Sequence, residues 1–306
     1  MNLVVSLQKL VHMKAFLGMG LLGSNFVRAM LKKNEKVQIW NRTYSKAADL
    51  AGIGASPFES VEDAVRNADT IHLTVKDDDS VNAVLDRAKP ALKKGATIID
   101  HTTTSVGGTI ERTKKWSALG FNYQHAPVFM GPVNALEGTG YMLISGDQQL
   151  IAKLENQLSG MTGKLINFGP EIGRASAMKL IGNCFLVGFT ASLGDSLSLA
   201  KSLDAPIADV DKLFASWNPA SSLTSRINRI STDDFSKPSW ELNMARKDTG
   251  LFMKAAKEAD INLMVIPSIA DIMDRWIAKG SGEQDWTIIT KTDRINHPVA
   301  QITTRT

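Results

Sequence analysis

Gly18-Met19-Gly20-Leu21-Leu22-Gly23 fits the pattern G-x-G-x-x-G, and the residues around it decide how it is read. A short apolar run, 15–17, precedes it and an amphipathic stretch, 24–33, follows it. The pattern alone is weak, but strand–turn–helix is the context in which it holds a dinucleotide. Gly18 permits the tight turn, Gly20 leaves room for a pyrophosphate, and Gly23 lets the helix pack closely on the strand. The pyrophosphate then meets the N–H groups at the helix start, with Met19, Leu21 and Leu22 completing the loop.

Outward from this turn, β-type runs are expected at 36–40, 70–75, 97–100, 122–126, 141–145 and 164–168. Helical patterns fall at 45–50, 61–66 and 81–88. Such alternation implies a parallel sheet with helices on both faces. After Gly169-Pro170 the β-type runs stop, and helical stretches follow at 175–203, 207–216, 240–260 and 267–279. Pro206, Asn218-Pro219 and Lys237-Pro238 separate them. The expected fold class is therefore an α/β Rossmann dinucleotide-binding domain, residues 1–172, then an all-α domain, residues 173–306, with a long interdomain helix. Residues 1–12 precede Met13, which itself looks like a natural start, and read as an N-terminal extension.

The second strand ends in Trp40-Asn41-Arg42-Thr43, about twenty residues past the glycine turn, where an NAD-preferring site usually carries an acid. No acid stands there. Arg42 is suited to a ribose 2′-phosphate, with Asn41 and Thr43 adding donors, so the expected cofactor is NADP(H).

The 306 residues carry 35 Lys+Arg against 31 Asp+Glu, a net charge of +4 with no dense basic run, so no nucleic-acid partner is expected. One cysteine, Cys184, allows no intrachain disulfide and points to a reducing, cytoplasmic setting. No run of the ~20 uninterrupted apolar residues of a membrane span is present; the nearest, 180–194, contains Asn183 and reads as a buried helix, with Cys184 as core packing. The histidines His12, His72, His101, His125 and His297 are scattered without ligand spacing, and Asp77-Asp78-Asp79 is no complete calcium loop, so no metal is expected.

Further motifs resemble the β-hydroxyacid dehydrogenase family, which includes 3-hydroxyisobutyrate dehydrogenase and glyoxylate/succinic semialdehyde reductase, with 6-phosphogluconate dehydrogenase as a distant relative. Asp100-His101-Thr102-Thr103-Thr104-Ser105 is similar to its Asp-x-Ser-Thr substrate segment. The resemblance implies that Thr103 touches cofactor and substrate, that Thr102 helps hold the substrate, and that Val75, Lys76 and Asp77 border the cofactor. Ala126-Pro127-Val128-Phe129-Met130-Gly131 matches Ala-Pro-Val-Ser-Gly-Gly only in part. Phe129 and Met130 replace the Ser-Gly pair that cradles the substrate carboxylate, and Gly131 alone remains.

Gly173-Arg174-Ala175-Ser176-Ala177-Met178-Lys179-Leu180-Ile181-Gly182-Asn183 resembles Gly-x-Gly-x-x-x-Lys-x-x-Asn-Asn, placing Lys179 at the catalytic lysine and keeping Asn183, while Gly182 replaces the first asparagine. Lys179 and Asn183 are four apart and share a helix face. Arg246-Lys247-Asp248-Thr249-Gly250-Leu251 resembles Lys-Asp-x-x-Leu, which implies that Lys247 reaches over the cleft between the domains toward the cofactor. Gly280–Trp286 and Thr287 resemble the closing segment and are read as structural.

The family implies hydride exchange between NADP(H) and a small β-hydroxyacid or semialdehyde, with Lys179 as general acid or base and Asn183 positioning it. Partial burial and a second cation would lower the lysine pKa toward working pH. It also implies a homodimer or homotetramer. An imine reductase on the same fold is the runner-up, against which the lysine–asparagine pair counts; a non-catalytic NADP-binding protein is the third reading.

Overall fold

A computed structural model of the chain describes residues 12–291. Residues 1–11 of the expected extension, His297, and the end of the second expected domain (292–306) lie outside the described residues.

The described residues form two compact units, divided between Cys184 and Phe185. The first is built on a six-stranded parallel sheet: β1 (Lys14–Leu17), β2 (Val37–Trp40), β3 (Ser56–Phe58), β4 (Thr70–Leu73), β5 (Thr97–Asp100) and β6 (Asn122–His125), in the order β3-β2-β1-β4-β5-β6. The chain leaves β1 in one direction and returns on its other side through β4, so the carboxyl ends of β1, β2 and β4 open at a switch point, where such sheets bind ligands. Three further strands, β7 (Val128–Phe129), β8 (Tyr141–Ile144) and β9 (Lys164–Asn167), make a smaller sheet in which β7 runs antiparallel to β8.

Successive side chains on a strand face opposite ways, and the core divides accordingly. Ala15 and Leu17 join Val61, Leu73, Ile98 and Trp116 in one apolar cluster. Phe16, between them, joins Phe26, Ile39, Ile99 and Met142 in the other. Both clusters include side chains from helices, which is why the strands read as continuous apolar runs. Two histidines that looked scattered meet in this core: the rings of His72 and His101 stack at 5.3 Å, with His72 Nδ1 3.0 Å from His101 Nε2. Burial pulls the His101 pKa down to about 4, so this ring stays neutral at pH 7.

β3 contains Pro57 and lies at the sheet edge, the one place in a sheet where proline's missing N–H costs little. The helices Val106–Ala118, Pro132–Glu137 and Gln148–Ser159 were also not anticipated.

The division into units falls inside the helix Arg174–Ser202, not ahead of it at residue 172. The reason is that the first turn of this helix is fastened to the α/β unit: Ala175 N donates to Ser145 Oγ at 2.9 Å, and Ser176 Oγ donates to the Thr104 carbonyl at 2.7 Å. The expectation of a buried helix at 180–194 is not met. Ile181, Phe185, Leu186, Val187 and Phe189 are each at least half exposed, and Cys184 is exposed rather than core packing. Apolar residues occur on all sides of this helix, and among the described residues these remain uncovered. By length and mean hydropathy it is also long and apolar enough to cross a membrane.

Among the described residues the second unit is helical: the remainder of that helix, then Ile207–Ser216, Leu223–Thr232, Leu242–Glu258 and Ile266–Ala278. Its small core gathers Phe235, Leu242, Ala245, Met273 and Ile288. Two buried carboxylates organise it. Asp195 accepts from the backbone N–H groups of Met264, Val265 and Ile266, capping the last of these helices. Asp285, in the closing segment, is fully buried; burial alone would raise its pKa, but hydrogen bonds from Thr287 and Ser239 hold it well below the carboxylate range.

Candidate active site

The glycine turn owes its shape to two glycines and its opening to the third. Gly18 has φ +100°, and a Cβ there would overlap the Thr74 carbonyl oxygen. A Cβ on Gly23 would overlap the Gly18 carbonyl, so helix and strand approach only with glycine at both positions. Gly20 is different: nothing lies within 4 Å of a Cβ placed on it. That space opens into a cavity of about 750 Å³ lined by Gly18, Gly20, Leu22, Asn41, Arg42 and Thr43, among others. A chain-side cradle with room over Gly20 fits a nucleotide pyrophosphate at the start of the helix Leu21–Lys32.

The predicted cofactor residues divide by what their atoms already do. Leu21, Val75 and Lys76 line the cavity. Met19 is buried, and its N–H donates to Asn41 Oδ1 at 2.9 Å; Asn41 Nδ2 donates to the Thr43 carbonyl. Asn41 therefore ties the glycine turn to the end of β2, and Arg42 and Thr43 are left exposed beside it. Asp77 is committed to capping, accepting from Ser80 N and Oγ. Lys46 and Arg87 also line the cavity and were missed. Lys46, four residues past Arg42, was legible as a second cation on that side; Arg87 lies at the far end of its own helix and gave no signal.

After β5 the chain carries the hydroxyl-rich segment, anchored from below. Asp100 is fully buried and accepts from Thr102 N–H at 2.9 Å and from Tyr123 OH at 2.6 Å. Arg112, 2% exposed, donates to Tyr123 OH and to Asp78, while Asp78 accepts from Ser105 N–H. A Cβ on Gly108 would overlap Asp78, so this link needs the glycine. None of this network was anticipated, because its members are spread from Asp78 to Tyr123. It leaves Thr102 buried, with its hydroxyl accepting from Val75 N–H, and Thr103 exposed. Of the two threonines, Thr103 is the one open to solvent.

One turn beyond Ser176, Lys179 is nearly buried and donates to Asn183 Oδ1 at 3.0 Å. The helical spacing of four supplies this contact directly. Burial pulls the ammonium down from its ordinary range to about 8, close to working pH. The ring of Phe129, half-buried at the end of β7, lies with its centroid 4.0 Å from Lys179 Nζ. Met130 follows, partly buried, and Gly131 N–H donates to Asn134 Oδ1 at 2.9 Å. Lys179, Asn183 and Phe129 are thus brought together, whereas the Gly131 donor is already engaged. Lys247 lies in the second unit, exposed on the helix Leu242–Glu258 and 3.0 Å from the Asp248 carboxylate.

These features define an α/β dinucleotide-binding fold with a buried lysine hydrogen-bonded to an asparagine one turn on. Residues 14–169 match the family model of the NAD binding domain of 6-phosphogluconate dehydrogenase, about half of the chain. The chain belongs to this family, and its relatives place it among the β-hydroxyacid dehydrogenases, as its motifs led one to expect. It is 24% identical to the 3-sulfolactaldehyde reductase of Escherichia coli (strain K12), covering 92% of this chain and 96% of that protein. It is 30% identical to the chloroplastic glyoxylate/succinic semialdehyde reductase 2 of Arabidopsis thaliana over 61% of this chain and 52% of that one. In fold it is similar to an imine reductase from Myxococcus stipitatus in complex with NADP+, with a TM-score of 0.81 and 21% identity over 91% of this chain and 99% of that one.

Proposed function

We propose that the chain is an NADP(H)-dependent oxidoreductase exchanging hydride with a small hydroxyacid or semialdehyde, with Lys179 as its general acid and base. The observation that carries the reading is Lys179, buried, donating to Asn183, and with its ammonium pulled down by burial to about 8. Gly18, Gly20, Leu22, Arg42, Thr43 and Lys46 would hold the dinucleotide, Arg42 and Lys46 facing a 2′-phosphate. When bound, the nicotinamide supplies or accepts the hydride. Lys179 donates a proton to the developing alkoxide in reduction and takes one from the hydroxyl in oxidation. Asn183 orients the ammonium, and Thr103 supplies a hydroxyl to the bound substrate. Curated relatives named for sulfolactaldehyde and glyoxylate/succinic semialdehyde support the substrate class.

A second reading, imine reduction, is favoured by one feature: an aromatic face beside Lys179 suits an uncharged substrate. Loss of NADPH absorbance with glyoxylate, succinic semialdehyde, propionaldehyde and a cyclic imine separates the readings. Turnover of an aldehyde, faster with NADPH than with NADH, is expected. Turnover of the imine alone sinks the carbonyl reading, and NADPH binding without any turnover leaves a non-catalytic NADP-binding protein.

The exposed apolar stretch from Ile181 to Phe189 supports a homodimer or homotetramer built on that helix, which a solution mass of one chain would contradict. The buried, hydrogen-bonded Lys179 and Asp195 on the same helix support this over a membrane span. The lone Cys184 supports a cytoplasmic setting.

A further inference from the structure

Phe129 and Gly182 are separate departures from the family pattern in sequence, and in the structure they touch. The Phe129 ring rests on the Gly182 backbone, so that a Cβ on residue 182 would overlap the ring. Lys179 Nζ stands 4.0 Å from the centroid of the same ring while donating to Asn183. Gly182 therefore makes the room that the ring fills, and the ring covers one side of the ammonium. An aromatic face carries partial negative charge. It attracts the ammonium and disfavours a carboxylate brought to the same place. Just beyond, Gly131 N–H is already bonded to Asn134 Oδ1, so this backbone donor is not free for an anion.

We propose that Phe129 and Gly182 form one specificity element beside Lys179, which selects carbonyl substrates with an uncharged, apolar substituent on the reacting carbon and disfavours a carboxylate attached directly to it. A carboxylate farther along the substrate, as in a longer semialdehyde, is not affected. The proposal rests on the assignment of Lys179 to the reaction. It explains the two departures together: a larger residue at 182 would evict the ring, and a smaller one at 129 would leave Lys179 open to water or an anion. Burial that lowers the lysine pKa to about 8 agrees with a ring standing where solvent would otherwise be.

The test compares kcat/KM with NADPH for propionaldehyde and glyoxylate, two short aldehydes differing in the charge of the substituent on the reacting carbon. The wild type should favour propionaldehyde. Phe129→Ser should move the ratio toward glyoxylate by about tenfold or more, whereas Phe129→Leu, still apolar, should move it by about threefold at most. A wild type that favours glyoxylate, or a Phe129→Ser ratio equal to the wild type's, overturns the proposal. Should Phe129→Ser not fold, Phe129→Thr, better suited to a strand, reads the same ratio. A melting-temperature cycle reads the contact without any turnover: Gly182→Ala should lower Tm by about 4 °C in the wild type and by about 1 °C or less beside Phe129→Ser. Equal losses in both backgrounds overturn the pairing of the two residues. Failure of the Lys179 assignment shows differently, as full activity in Lys179→Ala with the cycle intact.

Discussion

Gly20 and Gly182 both lack a Cβ for reasons of space, and the two spaces are used in opposite ways. Over Gly20 there is nothing of the chain within 4 Å, and the opening faces the cavity beneath Arg42 and Thr43. Over Gly182 the chain has placed its own Phe129. In the reading proposed above, the open space over Gly20 belongs to the cofactor end and the filled space over Gly182 to the substrate end, so the first keeps room for a dinucleotide and the second is narrowed by the chain's own ring.

The largest expected effect on binding breaks the cofactor end. Gly20→Val occupies the open space and should weaken NADPH binding on the order of 100-fold, about 2.7 kcal/mol, with an unchanged melting temperature. Gly23→Ala should do the reverse in kind, lowering the melting temperature because its Cβ overlaps the Gly18 carbonyl. Titrating cofactor binding beside thermal melts checks both, and an unchanged NADPH Kd in Gly20→Val would contradict the cradle.

A smaller effect sharpens the choice of cofactor. Arg42→Asp removes a cation that lines the cavity and adds the acid that a ribose hydroxyl prefers, so the NADPH-over-NADH ratio of affinities should fall by about 10–100-fold. Paired Kd measurements decide it, and an unaltered ratio would remove Arg42 from the 2′-phosphate site.

The smallest concerns the proton at the substrate end. Lys179 must be protonated to act as an acid, and its pKa is lowered to about 8. Carbonyl reduction should therefore be fastest below about pH 8 and fall roughly tenfold per unit above it, while oxidation of the alcohol should rise through the same range. The sign also bears on stability: a lysine whose pKa is lowered by folding costs stability below the folded value, a cost that fades as pH rises toward the ordinary 10.5. A reduction rate flat from pH 7 to pH 10 would count against Lys179 as the titrating group.

Much of the first unit was legible because local signals agreed with the fold. The run 15–17 and the β-type stretches at 36–40, 70–75, 97–100 and 122–126 correspond to strands of the six-stranded parallel sheet, and those at 141–145 and 164–168 to strands of the smaller sheet. The short β3 was hidden by Pro57, which an edge strand tolerates. The helix Val106–Ala118 was hidden by Gly107 and Gly108 in its first turn, although Ser105 caps it and Gly108 is needed for the approach of Asp78. At the site, Lys179 and Asn183 were singled out by the family resemblance, and their spacing of four made the contact between them legible, since one helix decides it. The links from Asp78 through Arg112 to Tyr123, and from Phe129 to Gly182, depend on how strands and helices are packed. Spacing along the chain does not encode them. The helix after Lys179 misled for a related reason: apolar residues argue for burial, but not for burial by the same chain, and Phe185, Val187 and Phe189 are left uncovered.

The central claim is that the buried lysine beside Asn183 moves the proton. The most direct measurement is steady-state NADPH oxidation by Lys179→Ala with the aldehyde that the wild type uses best, together with NADPH binding by the same variant. A fall in kcat of about 1,000-fold with NADPH Kd unchanged is predicted; wild-type turnover in that variant would contradict the account.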